Sequence, residues 1–84
     1  MARLLIVEDD ESQRFLYQEE LQEEGHEAVL AKRGKEALKC LERGLFDLII
    51  LDIHIPEMDG IEALEKIVSR YKKTPVILHT AYPE

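Results

Sequence analysis

Glu8, Asp9 and Asp10 stand together directly after an apolar run, Asp52 stands at the end of a second such run, and Thr80 follows a third. Carboxylates gathered this closely repel one another unless a cation joins them. Hard oxygen donors suit Mg²⁺, which keeps several waters and takes one or two protein carboxylates together with a phosphate. A carboxylate can also attack phosphorus to give an aspartyl phosphate, with the metal neutralising charge that develops on the transferred group. On that chemistry Asp52 is placed for attack and the acid pair before it for the cation. Thr80 would donate its hydroxyl to a phosphoryl oxygen, converting a change of charge into movement of the loop after the fourth strand.

Taken singly, these residues say little. An Asp at a strand end is ordinarily a turn or cap residue, and Glu8, Asp9 and Asp10 would serve equally well at the N-terminus of a helix, where negative charge is favoured. Thr80 alone reads as readily as an ordinary strand-end hydroxyl. What separates the readings is whether the topology brings all of these residues together. His54, two residues past Asp52, is expected to be hydrogen-bonded or solvent-facing rather than a side-chain ligand. His26 and His79 have no nearby His or Cys to complete a transition-metal set and read as structural, and Cys40 as a small buried helix residue.

The elements that must position these groups follow from the pattern. Leu4–Val7 is a continuous apolar run rich in branched residues, as expected of a strand buried on both faces of a parallel sheet. A helix is expected from Ser12, as N-cap, to Glu24, with Leu16, Tyr17 and Leu21 toward one side and Gly25 as its stop. Ala28–Ala31 reads as a second strand and Lys35–Arg43 as a second helix, with Ala37, Leu38 and Leu41 on a stripe and Gly44 ending it. Phe46–Ile53 repeats the first strand's pattern and is expected to be central, with a turn-rich stretch from Pro56 to Gly60 behind it. A third helix from Gly60 to Tyr71 carries Ile61, Leu64, Ile67, Val68 and Tyr71, of which Ile61, Leu64 and Val68 are expected to be core. Pro75–His79 is the fourth strand.

Strands separated by helices of this length specify right-handed βαβ crossovers and hence an α/β, doubly wound parallel sheet. Ligands bind such sheets outside the carboxyl ends of the strands, near the point where strand order reverses. That rule gathers Glu8, Asp9, Asp10, Asp52 and Thr80 in one crevice.

Composition narrows the classes. With 84 residues the chain is at most one domain of modest stability, and 45% hydrophobic with 35% charged residues is outside the composition of disordered segments. A net charge of -7, from 18 acidic and 11 basic residues with no basic cluster, argues against direct nucleic-acid contact. Much of that charge lies in Glu19, Glu20, Glu23 and Glu24, the solvated face of a helix. One cysteine excludes an internal disulfide framework and fits a reducing compartment. The apolar run near the N-terminus is too short for a signal-peptide core or a membrane span, so the expectation is a soluble, cytoplasmic protein without membrane contact.

Three blocks now bear comparison with a known family: Leu-Leu-Ile-Val-Glu-Asp-Asp (4–10), Asp-Leu-Ile-Ile-Leu-Asp-Ile-His-Ile-Pro-Glu-Met-Asp-Gly (47–60) and Thr-Pro-Val-Ile-Leu-His-Thr-Ala-Tyr (74–82). With them the chain resembles the receiver domain of two-component response regulators over essentially its whole length, and the second block is the most specific. The resemblance implies a phosphoacceptor that takes a phosphoryl group on Asp52 from a phosphohistidine of a sensor histidine kinase or phosphotransfer protein, with Mg²⁺ as cofactor. It implies Asp9 as direct metal ligand beside Asp52, Glu8 acting through a metal-bound water, the backbone carbonyl of His54 as a further ligand, and Thr80 as switch hydroxyl. Asp10 falls outside the matched pair and is left to cap the helix. It further implies that His54 and Tyr82 occupy positions that tune how long the phosphoryl group survives. Such a domain takes part in its own phosphorylation and dephosphorylation without being an enzyme in the ordinary sense.

The resemblance also implies a flavodoxin-like fold of strand order 2-1-3-4-5, against which residues 1–84 form a receiver domain truncated after the fourth strand, without the last strand, the last two helices or the lysine that the fifth strand brings. Lys72 and Lys73 precede strand four at its far end and cannot take that lysine's place. Strand four is then expected to be an open edge beside uncovered apolar surface, which suggests a homodimer or an exchange of elements. Two other classes stay open at this point. One is a receiver remnant acting as a structural or self-association module without phosphorylation. The other is a phosphatase with Asp52 as nucleophile, for which His54 stands where an acid is needed and no phosphate-cradling glycine loop is present.

Overall fold

The structure is a computed structural model that describes residues 1–52 and 60–79. Among the described residues four strands and three helices alternate along the chain: β1 (Arg3–Val7), α1 (Glu11–Glu23), β2 (Glu27–Ala31), α2 (Gly34–Arg43), β3 (Leu48–Asp52), α3 (Gly60–Arg70) and β4 (Val76–His79). All pairings are parallel and the sheet order is β2-β1-β3-β4. The chain reverses direction across the sheet between β1 and β3, so right-handed crossovers send α1 to one face and α2 and α3 to the other. This is the doubly wound, flavodoxin-like α/β fold.

Strand alternation divides the core. Leu5, Val7, Ile49 and Leu51 point to the face covered by α2 and α3, where they pack with Ala31, Ala37, Leu38, Leu41, Phe46, Ala63 and Ile67. Leu4 and Ile6 are buried toward the opposite face, which α1 covers. Burying each such aliphatic side chain contributes about 1.5–3 kcal/mol, so β1 and β3, in the middle of the sheet, are the best-anchored elements.

Several boundaries depart from the pattern reading. Helix α1 is capped by Asp10, not Ser12: the Asp10 carboxylate accepts from the Ser12 N–H at 2.8 Å and the Gln13 N–H at 3.3 Å. An Asp reaches two free N–H groups of the first turn at once, and its charge complements the helix terminus. The other end closes as expected on Gly25, whose φ of +85° suits glycine. There the His26 N–H donates to the Leu21 carbonyl and the Gly25 N–H to that of Gln22, the paired bonds of a Schellman motif. Strand β3 begins at Leu48, with Phe46 buried in the loop before it. His26 is structural as expected, its Nδ1 accepting from the Ala2 N–H at 3.0 Å.

Two helix faces are corrected. On α1 the sheet-facing stripe is Arg14, Tyr17 and Leu21, while Leu16 is 52% exposed. On α3 the core residues are Ala63 and Ile67, with Leu64 half-buried. Ile61 and Val68 are 54% and 51% exposed. Val68 follows the sheet-facing Ile67 by one residue, which is about 100° around the helix. At β4, Val76 packs on the core but Ile77 and Leu78 are about half exposed, and among the described residues no strand pairs with the outer edge. The expectation of an open edge beside uncovered apolar surface holds for these residues. No described helix is long and apolar enough to cross a membrane.

Candidate functional site

The register of the sheet creates the site. Val7 of β1 pairs with Leu51 of β3. Glu8 and Asp52 are the next residues on the two neighbouring strands. The two side chains follow Leu4 and Ile6, and Leu48 and Ile50, in the strand alternation, which puts both toward the face covered by α1. Both are buried, Glu8 at 2% and Asp52 at 5% exposure. On the far side of Asp52 its register partner is His79, so the end of β4 lies beside it.

The β1–α1 turn is tied down on several sides. The Glu8 N–H donates to the Ala31 carbonyl at 3.0 Å, carrying the β1–β2 ladder one residue further. The Asp10 N–H donates to Oε2 of Glu8 at 3.0 Å. Asp9 is exposed beside this buried acid. From α1, Nη1 of the buried Arg14 donates to the carbonyls of Glu8 and Asp9, at 2.9 and 2.8 Å.

Burial pushes the Glu8 carboxyl up from 4.5 to about 7; the Asp10 N–H opposes this, and contact with Asp52 and its negative charge reinforce it. Oε1 of Glu8 is buried with no hydrogen-bond partner. An acceptor oxygen without a donor, next to a second buried carboxyl, fits a cation: the donors are hard oxygens, and a positive charge would satisfy both acids. Tyr17 of α1 is raised above its ordinary value by burial and then by the negative charges of Glu8, Asp52 and Glu20. Among the described residues no three His, Cys, Asp or Glu side chains are gathered to hold a metal.

Of the residues expected from sequence, Glu8, Asp52 and the backbone of Asp9 and Asp10 are brought to one end of the sheet. Asp10 is the helix cap. His54 and Thr80 lie outside the described residues, as does Tyr82. Arg14 was not anticipated, and Tyr17, expected on the covered side of α1, was not anticipated beside the acids. The signal for both was their spacing with Leu21, which marks the covered stripe of α1 and leaves a cation inside it.

Residues 4–84 match the response regulator receiver domain. Regulatory protein AtoC of Escherichia coli is 40% identical over 82 residues, covering 98% of this chain and 18% of its own length. Response regulator protein FleR of Pseudomonas aeruginosa is 42% identical over 81 residues, covering 96% and 17%. The chain spans between 17% and 36% of the length of the curated relatives it matches. Among solved structures, response regulator protein TrrA of Thermotoga maritima in complex with Mg²⁺-BeF superposes with a TM-score of 0.92 at 46% identity, covering 98% of this chain and 71% of that one. A chain of the complex between histidine kinase ThkA and TrrA also gives 0.92, at 45% identity, covering 100% and 72%.

Proposed function

The chain belongs to the response regulator receiver domain family of two-component systems, and from that premise we propose that Asp52 is its phosphoacceptor, taking a phosphoryl group from a phosphohistidine of a sensor histidine kinase. The observation that carries the reading is the pair of buried carboxyls, Glu8 and Asp52, one residue beyond the Val7–Leu51 register pair, with Oε1 of Glu8 left without a donor. Burying two acids is costly unless something uses them. For that reason the alternative of a purely structural module without phosphorylation is not favoured.

The nucleophile is the Asp52 side chain. One carboxylate oxygen attacks phosphorus, the P–N bond to the donor imidazole breaks, and the electron pair leaves on the imidazole nitrogen. Asp9 and Asp52 would hold Mg²⁺ directly, Glu8 through a water, and the His54 carbonyl would complete the protein ligands. When bound, Mg²⁺ supplies charge neutralisation for the phosphoryl oxygens. The crystal structure of the similar protein TrrA with Mg²⁺-BeF supports the choice of ion, and the ThkA–TrrA complex supports a kinase as partner. Thr80 would donate its hydroxyl to the phosphoryl group, converting the new charge into a change of conformation.

The test is intact mass after incubation with Mg²⁺ and acetyl phosphate. One phosphoryl adduct is expected, lost with Asp52→Asn and with chelation of the metal. An adduct that survives Asp52→Asn overturns the assignment.

A further inference from the structure

Position 14 is unexpected. Helix α1 covers the sheet with Arg14, Tyr17 and Leu21, a stripe in which an aliphatic residue would be ordinary, yet Arg14 is 8% exposed. Burying a guanidinium costs several kcal/mol unless it is well partnered. Among the described residues its hydrogen-bond partners are not carboxylates: one nitrogen, Nη1, donates to two consecutive backbone carbonyls, those of Glu8 and Asp9. Those peptide units belong to the two acids read as the metal-binding pair.

Capping α1 does not require this arrangement, because Asp10 already satisfies the helix N-terminus. Nor does sheet pairing, because the Glu8 N–H is tied to Ala31. What Arg14 adds is restraint on the carbonyl side of the turn. The Glu8 backbone is then held from β2 through its N–H and from α1 through its C=O. The backbone from which Asp9 departs is fixed although the Asp9 side chain is exposed.

Resting on the phosphoacceptor reading, we propose that Arg14 is a positioning residue for the cation site. It holds the Glu8 and Asp9 peptide units so that both carboxylates leave the backbone in their ion-binding directions before Mg²⁺ arrives. Preorganisation of this kind lowers the ordering cost of binding.

The measurement is Mg²⁺ affinity by calorimetry in the parent chain, Arg14→Met and Arg14→Lys, with amide exchange at Leu5 and Ile6 reporting whether the sheet is intact. Arg14→Met should weaken Mg²⁺ about 10- to 100-fold, the usual effect of removing a partner that orients metal ligands. Protection of β1 should persist, and Arg14→Lys, with a donor ammonium on a similar stem, should restore most of the affinity. Equal affinity in Arg14→Met and parent overturns the inference. Should Arg14→Met fail to fold, the parent decides: the Arg14 Nη1 protons should shift with the same Mg²⁺ midpoint as the Asp9 amide, and protons that stay put while that amide moves overturn it. A parent that binds no Mg²⁺ overturns the site reading and this inference with it; a parent that binds Mg²⁺ and takes the phosphoryl group, beside an unaffected Arg14→Met, sinks the inference alone.

Discussion

Glu8 and Asp52 occupy equivalent places on neighbouring strands, each one residue past the paired Val7 and Leu51, and the register alone makes them face each other's charge. Burial, reinforced by the contact, pushes the Glu8 carboxyl up to about 7. In the metal-free chain the folded state therefore keeps a proton on Glu8 that the unfolded chain releases around its ordinary 4.5. Between those values the native state binds more protons, so stability falls as pH rises from about 4.5 to about 7. Denaturant midpoints at mildly acidic and mildly alkaline pH should differ in that direction, and Glu8→Gln should flatten the difference. Parallel profiles for the parent and Glu8→Gln would remove Glu8 as its source.

Replacing the other member of the pair gives a different signature. Asp52→Asn removes the charge and the contact that help to raise Glu8, and an Asn amide can donate to the unpartnered Oε1. The Glu8 carboxyl should titrate lower in this variant, yet still above 4.5 because burial is the first cause of its shift. Carboxyl carbon resonances followed against pH read this directly. An unmoved Glu8 midpoint would mean that burial alone sets it.

On α3 the corrected face makes a contrast between two isoleucines. Ile67 is fully buried and Ile61 is 54% exposed. Ile67→Ala should cost about 2–5 kcal/mol in unfolding free energy through lost burial and a residual cavity. Ile61→Ala should stay within about 0.5 kcal/mol, as surface substitutions do. Equal losses in chemical denaturation would restore Ile61 to the core.

These outcomes mark where sequence pattern suffices and where it does not. Leu4–Val7 are buried and the apolar residues of β3 are buried or half-buried in a parallel sheet, so their continuous hydrophobicity identified them, and Asp52 and the acids after Val7 came with them as strand ends. Gly25 was legible because only a residue at ease with positive φ closes a Schellman motif there. Helix faces were less legible. Ile61, Leu64, Ile67 and Val68 are all apolar, and composition does not say which of two adjacent stripes meets the sheet. Asp10 and Ser12 are both good caps, and the choice between them depends on where β1 releases the chain. Arg14 was hidden because a cation reads as a surface residue until its hydrogen bonds are known.

The end of the sheet opposite the acids offers a test of packing without chemistry. Gly44 has extended backbone that any residue could adopt, but a Cβ there would lie 2.6 Å from Nη1 of Arg3. That guanidinium donates to the Leu45 carbonyl at 2.9 Å, pairs with Glu27 at 3.0 Å and sits 4.4 Å over the Phe46 ring. Because the obstructing atom ends a flexible side chain, Gly44→Ala should displace Arg3 rather than the backbone. The loss should be about 1 kcal/mol, the scale of one hydrogen bond and an exposed cation–π contact. Arg3→Ala removes the same contacts and the obstruction together, so adding Gly44→Ala to it should cost little more. A double-mutant cycle by chemical denaturation should therefore return a coupling comparable to the Gly44→Ala loss itself. Strict additivity would show that Gly44 matters for a reason other than the space Arg3 fills.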